Sequence, residues 1–423
     1  MPVRRWFGGR AAALAALTPS ALRFLPPDLD PRQVEALCAL VTGAGFSPDA
    51  YRAQSPALGA AVPDARTAVL HLLSFCGDEQ VTYPLRLDPT GLDTLTRSRL
   101  WHRRGRARLA ASLVNAHLAQ RPDVVADPDF WAEILPALAR VGRPYLLVGD
   151  SHSRLYRRVG LQRSGPILPI HVLCTAGSAA GLDNPASRSG YGARLARLAD
   201  ALARAPAARG LPILFQFGQV DIEFVAAFRR IANGEHAFDE TGFETFCDRT
   251  AAAYGAFLVR WFSGLGPVHV LSVFPPALSD ESWADGYCNA HVLALEGVAG
   301  DRTATAAAVA ALEVPSLAER TRLHRAFNDR LSALCAREGF GFVALFDALL
   351  GPDGTVAPRF IAGAGGRDHH LDEAPLRAPT RAALEAALGR RQGMMQGMVD
   401  RMMDRMMDRM MDQMRRIVRV ATA

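Results

Sequence analysis

Between residues 143 and 389, short apolar runs alternate with longer segments of helical periodicity. The apolar runs are 145–148, 167–173, 213–217, 268–274 and 340–345, and the helical patterns are 191–204, 243–262, 316–338 and 380–388. A strand that is buried on both faces has a continuously apolar sequence, and strands that alternate with helices form parallel sheets. The pattern therefore predicts an α/β domain over 143–390, with a parallel sheet covered by helices on both faces.

The chain before this domain has a different pattern. Helical periodicity occupies 30–41, 65–76, 91–120 and 127–141, with one short extended candidate at 80–87. We predict a mostly helical region over 29–142, preceded by a separate N-terminal segment over 1–28. No motif in either part indicates a role.

The last segment, 391–423, is rich in methionine. It contains tandem four-residue repeats that begin at Met402, Met406 and Met410. A period of four exceeds the 3.6 residues of a helical turn, so the methionine pairs rotate around a helix and form no single seam. We interpret the segment as a low-complexity tail.

Composition changes this picture little. Of the 423 residues, 49% are hydrophobic and 21% are charged, and no apolar run reaches the roughly 18 residues that a membrane span needs. We therefore predict no stable membrane insertion. The net charge is +6, but every basic residue is arginine, which indicates coding bias rather than a nucleic-acid partner. Nothing in the sequence indicates an oligomeric state.

The six cysteines are scattered, with no paired spacing and no cysteine–histidine cluster typical of zinc sites. They are typical of free thiols in a reducing compartment, so we predict a cytoplasmic protein with no metal and no cofactor. The alternative is export, because Arg4 and Arg5 followed by the short apolar stretch 11–17 resemble a weak twin-arginine signal.

The first candidate for chemistry follows the first apolar run. Gly149, Asp150 and Ser151 interrupt the apolar pattern where the strand 145–148 should end. Ligands of open α/β sheets bind outside the carboxyl ends of the strands, so a serine hydroxyl is presented there. The alternative is that Asp150 and Ser151 only cap a helix that starts near Ser153.

Three later stretches carry the other groups that a nucleophilic serine needs. The small-residue loop 174–185 can supply backbone amides, the stretch 217–221 places a glycine and a carboxylate at a strand end, and 365–371 carries two histidines before the last helix. The candidate residues in these stretches are Gly177, Gly181, Asn184, Gly218, Gln219, Asp221, Asp368, His369 and His370.

In this order, the motifs resemble those of the GDSL/SGNH hydrolase superfamily. Gly149-Asp150-Ser151 matches the first block, Gly177 or Gly181 the glycine of the second, Gly218 and Asp221 the ends of the third, and Asp368 to Leu371 the final block. The resemblance implies a three-layer α/β/α sandwich with a flavodoxin-like sheet. It also implies that Ser151 attacks an ester carbonyl, that a histidine takes its proton, and that backbone amides stabilise the oxyanion.

Two departures from the family pattern affect the site. Val220 stands where the family has its oxyanion asparagine, so Gln219 or Asn184 would have to supply that donor. Asp368 lies two residues before His370 rather than three, so a local bulge would be needed for it to orient that ring. We expect His370 to be the base, with His369 as the alternative.

The expected activity is therefore that of a serine-dependent esterase or acyl hydrolase. The resemblance implies an O-acyl or acetyl ester of a carbohydrate or other small polar molecule as substrate. Two alternatives stay open: an O-acyltransferase that uses the same serine, and a non-catalytic binding or accessory module. The imidazole-to-Ser151 distance discriminates the catalytic hypotheses from the module.

Overall fold

The fold is described from a computed structural model that covers ten ranges of the chain. These are 31–43, 46–53, 59–60, 62–75, 89–98, 103–157, 160–162, 165–284, 307–362 and 368–389. The N-terminal segment 1–28, the extended candidate 80–87 and the methionine-rich tail 391–423 lie outside the described residues, so the predictions made for them stay predictions.

One sheet of six strands organises the described chain. The strands are β1 (Arg143–Gly149), β2 (Gly160–Gln162), β3 (Gly165–Leu173), β4 (Ile213–Gln216), β5 (Val268–Leu271) and β6 (Gly341–Val343). Their order across the sheet is β2-β3-β1-β4-β5-β6. All neighbours pair in parallel except β2, which is antiparallel to β3.

The five parallel strands follow the order 2-1-3-4-5 of a flavodoxin-like sheet when they are counted along the chain. The predicted α/β/α sandwich is thus confirmed, and all five predicted apolar runs contain strands. The short hairpin strand β2 is an addition. It lies where we expected a helix to continue from Ser153, and a 3₁₀ helix at Ser151–Tyr156 replaces that helix.

Helices cover both faces of the sheet. They are α1 (Pro31–Gly43), α2 (Pro48–Arg52), α3 (Ala65–Phe75), α4 (Pro89–Arg97), α5 (Arg103–Gln120), α6 (Pro128–Val141), α7 (Ala179–Leu182), α8 (Tyr191–Arg204), α9 (Ala226–Asn233), α10 (Glu240–Phe262), α11 (Asp280–Ala284), α12 (Leu317–Glu338) and α13 (373–389). The helical pattern 91–120 corresponds to two helices, α4 and α5, rather than one. The segment Asp221–Val225 forms a π-helical turn that leads into α9.

The pleat of β1 divides the core in two. Leu146 and Val148 point into a large cluster that also contains residues of α5, α6, α8, α10 and α12. Tyr145 and Leu147 point to the opposite face, into a smaller cluster with Leu155 of the 3₁₀ helix and residues of α13. Because successive side chains of a strand face opposite sides, this two-sided burial explains the continuous apolar run in the sequence.

The N-terminal helices share the larger core with the α/β part. Asn115 of α5 donates from Nδ2 to the carbonyl of Pro169 at 3.0 Å and accepts from the amide of His171 at 2.7 Å. β2 pairs with β3 only as far as Ile167, and beyond it Asn115 satisfies two backbone groups that would otherwise be unpaired on that edge. The domain boundary near residue 142 stays a prediction. Within the described part of the chain, no helix is long and apolar enough to cross a membrane.

Candidate active site

The turn after β1 presents Ser151 at the carboxyl edge of the sheet. The amide of Asp150 donates to the carbonyl of Gln216 in β4 at 3.1 Å, which holds the turn against the neighbouring strand. Gly149 permits this approach, since a Cβ atom there would lie 2.5 Å from the Gln216 carbonyl oxygen. Ser151 is therefore the first residue of a 3₁₀ helix that starts at the end of a central strand.

Ser151 and His370 meet in this structure. The Oγ atom of Ser151 lies 2.8 Å from Nε2 of His370, within the range expected for a nucleophile and its general base. His370 follows β6 and precedes α13, so the contact joins two loops that are 219 residues apart. Ser151 and His370 are both partly exposed, which leaves the pair accessible to a substrate.

Asp368 orients the His370 ring. Its Oδ1 atom accepts a hydrogen bond from the His370 backbone amide at 2.9 Å and lies 3.0 Å from the ring nitrogen Nδ1. Because a carboxylate only accepts, Nδ1 carries the proton, and Nε2 is left with the lone pair that faces Ser151. No bulge is needed: an aspartate two residues before a histidine reaches both atoms when the backbone turns between them.

The alternative base, His369, points elsewhere. Its ring is buried, packs edge-on against Phe224 with ring centroids 5.3 Å apart, and places Nδ1 3.6 Å from Oδ1 of Asp368. The hydrogen bond to Ser151 comes from His370. His369 instead packs against the ring of His370, with the two ring centroids 3.8 Å apart.

A second aspartate–histidine unit stands beside the first. Asp150 accepts from the amide of His152 at 2.8 Å and lies 3.1 Å from its Nδ1, both through Oδ1. Both side chains are buried. The Asp150 carboxylate therefore caps the 3₁₀ helix, as the capping interpretation held, and at the same time binds an imidazole. The His152 ring is turned into the protein.

The electrostatics of these groups are coupled. Burial opposes a charge on His152, but Asp150 and Glu223 outweigh it and raise the pKa of His152. Burial, followed by the charge of His152, lowers the pKa of His370, so this ring is held in its neutral, basic form. Burial raises the pKa of Glu223 to about 7, against the opposing effects of His152 and Gln219.

Gln219 does not face the reaction centre as an oxyanion donor. Its Nε2 donates to Oε1 of Glu223 at 2.7 Å and to the carbonyl of Phe274 at 3.3 Å, and its Oε1 accepts from the Phe274 amide at 2.8 Å. The side chain is buried and ties the turn after β4 to the segment after β5. Gln219 is not the expected oxyanion donor because the backbone C=O and N–H of Phe274 bind both ends of its side-chain amide.

The backbone amides of the two predicted glycine donors are also engaged. The amide of Gly177 donates to the Cys174 carbonyl at 2.8 Å, and that of Gly181 donates to the Ser178 hydroxyl at 3.0 Å. Asn184 is exposed and accepts from the Ala186 amide within its own turn.

The Ser151 amide is different, because the first N–H of a helix has no acceptor within the helix. It makes no backbone hydrogen bond to any described residue. It is therefore the donor that the described site offers to an oxyanion at Ser151.

Asp221 and Gly218 shape the site from the end of β4. Asp221 accepts from the amides of Ala179 and Ala180 at 2.6 and 3.1 Å, so it holds the small-residue loop 174–182 rather than the turn 149–151. Burial raises its pKa to about 6. Gly218 has φ +109° and lies against the Phe327 ring, a position that only glycine fits.

Three imidazoles converge at the site. Ligand atoms of His152, His369 and His370 lie within 4.8 Å of one another, and this is the cluster among the described residues with a composition suited to a transition metal. Both nitrogens of His370 already have partners, Ser151 and Asp368. A metal bound through Nε2 would displace the serine, so the arrangement fits an acid–base histidine better than a metal ligand.

Comparisons with known proteins give structural neighbours only. No protein-family profile and no curated protein matches the chain. The OSK domain of Drosophila Oskar is 13% identical, with 58% of this chain and 88% of that domain covered and a TM-score of 0.29. An extracellular lipase from Streptomyces rimosus is 13% identical, with coverage of 58% and 100% and a TM-score of 0.32. Likeness at this level assigns neither a family nor an activity.

Proposed function

We propose that the protein is a serine-dependent ester hydrolase of the SGNH type. The observation that carries the proposal is the continuous series of hydrogen bonds from Ser151 through His370 to Asp368. Ser151 Oγ lies 2.8 Å from His370 Nε2, and His370 Nδ1 lies 3.0 Å from Asp368 Oδ1. The order of these residues along the chain and their positions on a flavodoxin-like sheet support the same interpretation.

The geometry supports a two-step reaction. His370 Nε2 takes the hydroxyl proton while Ser151 Oγ attacks the ester carbonyl carbon, and Asp368 stabilises the imidazolium through Nδ1. The tetrahedral oxyanion accepts from the Ser151 amide. Collapse expels the alcohol, which receives the proton from His370 and leaves an acyl-serine. Water then attacks that acyl group by the same proton transfers and releases the carboxylic acid.

The oxyanion contacts predict modest turnover. Val220 has no side-chain donor, and the amides of Gly177 and Gly181 are engaged elsewhere. Loss of one oxyanion donor typically lowers turnover by about 10²–10³-fold. The substrate class follows from the resemblance alone: an O-acyl or acetyl ester of a carbohydrate or another small polar molecule. Acyl transfer to a sugar hydroxyl instead of water uses the same acyl-serine, and competition between acceptors distinguishes it.

The decisive experiment is labelling of the full chain with a fluorophosphonate, followed by peptide mass spectrometry. We expect an adduct on Ser151 that is lost in Ser151→Ala and strongly slowed in His370→Ala. Ser189→Ala, an exposed serine outside the site, is the matched control and should label as the wild type does. An absence of adduct under conditions that label a known serine esterase would favour the non-catalytic module.

A further inference from the structure

A second cavity lies behind the nucleophile turn, on the side of the helical region. Its volume is about 240 Å³, and it opens between α5, the 3₁₀ helix Pro122–Ala126 and the end of β3. Among the described residues, its polar lining comprises Asn115, Arg157, His171, Thr175 and Arg194, with no carboxylate among them. These residues bring two guanidinium groups to the cavity, and neither Ser151 nor His370 lines it.

The hydrogen bonds of Ser153 fix the tautomer of His171. Ser153 Oγ lies 2.5 Å from the carbonyl oxygen of Asp150 and 2.7 Å from Nε2 of His171. A carbonyl cannot donate, so the serine proton lies between the two oxygens, and Nε2 must donate to Oγ. Burial, followed by the charges of Arg157 and Arg154, keeps the pKa of His171 well below its usual value. The ring is therefore neutral and has its lone pair on Nδ1.

This assignment excludes Ser153 as a second nucleophile, because the histidine beside it donates rather than accepts. It also leaves Nδ1 as the acceptor that the ring can offer to the cavity it lines. Asn115 does not offer an acceptor to the cavity, since both ends of its side-chain amide already bind the backbone of β3.

Several contacts hold Arg194 at the cavity. Its Nη2 donates to the carbonyl of Leu173 at 3.0 Å and to Sγ of Cys174 at 3.4 Å, and its guanidinium lies 4.7 Å from the ring centroid of Tyr191. Its Nε is buried and has no hydrogen-bond partner among the described residues. Arg157, at the end of the nucleophile helix, brings a second guanidinium group to the same cavity, and its charge acts on the His171 ring.

We propose that this cavity binds a small oxyanion of the phosphate class, as inorganic phosphate or as a phosphate monoester. The anion accepts from Arg157 and Arg194, and its protonated oxygen donates to Nδ1 of His171. Two guanidinium groups and one neutral acceptor match an oxyanion that keeps a proton. For inorganic phosphate this is the monohydrogen form, and for a phosphate monoester, whose second pKa is about 6, it is the monoanion. Sulfate has no proton to donate to Nδ1 of His171. The volume leaves room for a phosphate with a small substituent. The site is independent of the proposed hydrolase activity.

Isothermal titration calorimetry on the full chain at constant ionic strength tests the proposal. Inorganic phosphate, glycerol 3-phosphate and sulfate are titrated separately, so that free phosphate and phosphate monoesters are distinguished. We expect saturable binding of at least one phosphate ligand and weaker binding of sulfate. Arg157→Gln should weaken phosphate binding by roughly tenfold or more, because it removes a charge-assisted contact.

Arg197→Gln is the matched control, since Arg197 is exposed on the helix of Arg194 and does not line the cavity. It should bind phosphate as the wild type does, and so should Ser151→Ala, which separates the cavity from the active site. Equal losses in Arg157→Gln and Arg197→Gln, or no saturable phosphate binding, would overturn the site. Sulfate binding as tight as phosphate would overturn the assigned role of His171.

Discussion

The rings of His152 and His370 lie with their centroids 4.8 Å apart, and each is bound through Nδ1 by an aspartate two residues before it. The two units differ in burial: His152 and Asp150 are buried, whereas His370 and Asp368 are partly exposed. One unit thus lies in the interior of the protein, and the other faces Ser151. We infer that the buried unit sets the basicity of the exposed one.

The pH dependence of Ser151 reactivity follows from this arrangement. Burial and the charge of His152 lower the pKa of His370 below the ordinary 6.5, and only the neutral ring can accept the serine proton. The rate of fluorophosphonate labelling should therefore rise with pH and reach half of its plateau below pH 6.5. Rates measured between pH 4.5 and 8.5 check this, and a midpoint above 6.5 would contradict it.

Replacement of the buried histidine should move that midpoint. His152→Gln removes the imidazole whose charge lowers the pKa of His370, and this change favours the imidazolium. The midpoint of the labelling rate should shift upward. His236→Gln changes an exposed histidine far from the site and should leave it in place. If His152 served only as packing, the plateau rate could change, but the midpoint would stay where it is in the wild type.

Asp368→Asn tests how the base is oriented. The asparagine oxygen can still accept from the His370 amide, but one side-chain oxygen then serves both contacts without a charge, and the imidazolium loses its counter-ion. In a serine protease the corresponding change lowers turnover by about 10⁴-fold, so a loss of 10³–10⁴-fold in labelling rate is expected here. Asp372→Asn, an aspartate just beyond the site, is the control. A loss below about tenfold would show that Asp368 is dispensable.

The sequence predicted the sheet because two-sided burial makes each strand continuously apolar. It indicated Ser151, Asp368 and His370 through the order of motifs that resembles the SGNH pattern. The structure brings these three side chains into contact, and their catalytic roles stay a prediction. The sequence missed β2, whose three residues are too few to carry a pattern. It was wrong about Gln219 as an oxyanion donor, and it did not indicate the contacts of Asp221. Their partners, Phe274 and the amides of Ala179 and Ala180, lie about 40 to 55 residues away, and no local pattern indicates which distant backbone group a side chain will meet.

His152 and Glu223 were missed for a related reason. The spacing Asp-x-His occurs twice, at 150–152 and 368–370, and this repetition was the available signal. Whether such a histidine faces solvent or the interior depends on the turn of the 3₁₀ helix and on the residues that cover it. Here Glu223, from the π-helical turn after β4, supplies a buried carboxyl group that the sequence alone did not associate with the site.

Glu223 makes the stability of the protein depend on pH in a particular direction. Its pKa is raised from 4.5 to about 7, chiefly by burial, so the folded protein holds a proton that the unfolded chain releases. The stabilisation is complete below pH 4.5 and is lost as the pH rises through 7. An upper bound for the effect is about 3 kcal/mol. Glu223→Gln stays neutral and can keep the contact with Gln219, so its melting temperature should fall less between pH 5 and pH 8 than that of the wild type.

The slope should not vanish entirely, because the pKa of Asp221 is also raised, to about 6. Melting curves at pH 5, 6.5 and 8 measure the difference, and Glu244→Gln, an exposed glutamate on α10, should follow the wild type at every pH. Equal slopes in wild type and Glu223→Gln would mean that the Glu223 carboxyl group titrates normally in the folded protein. In that case its charge would persist beside His152 at pH 5, and His152 would be held as a cation by two carboxylates rather than one.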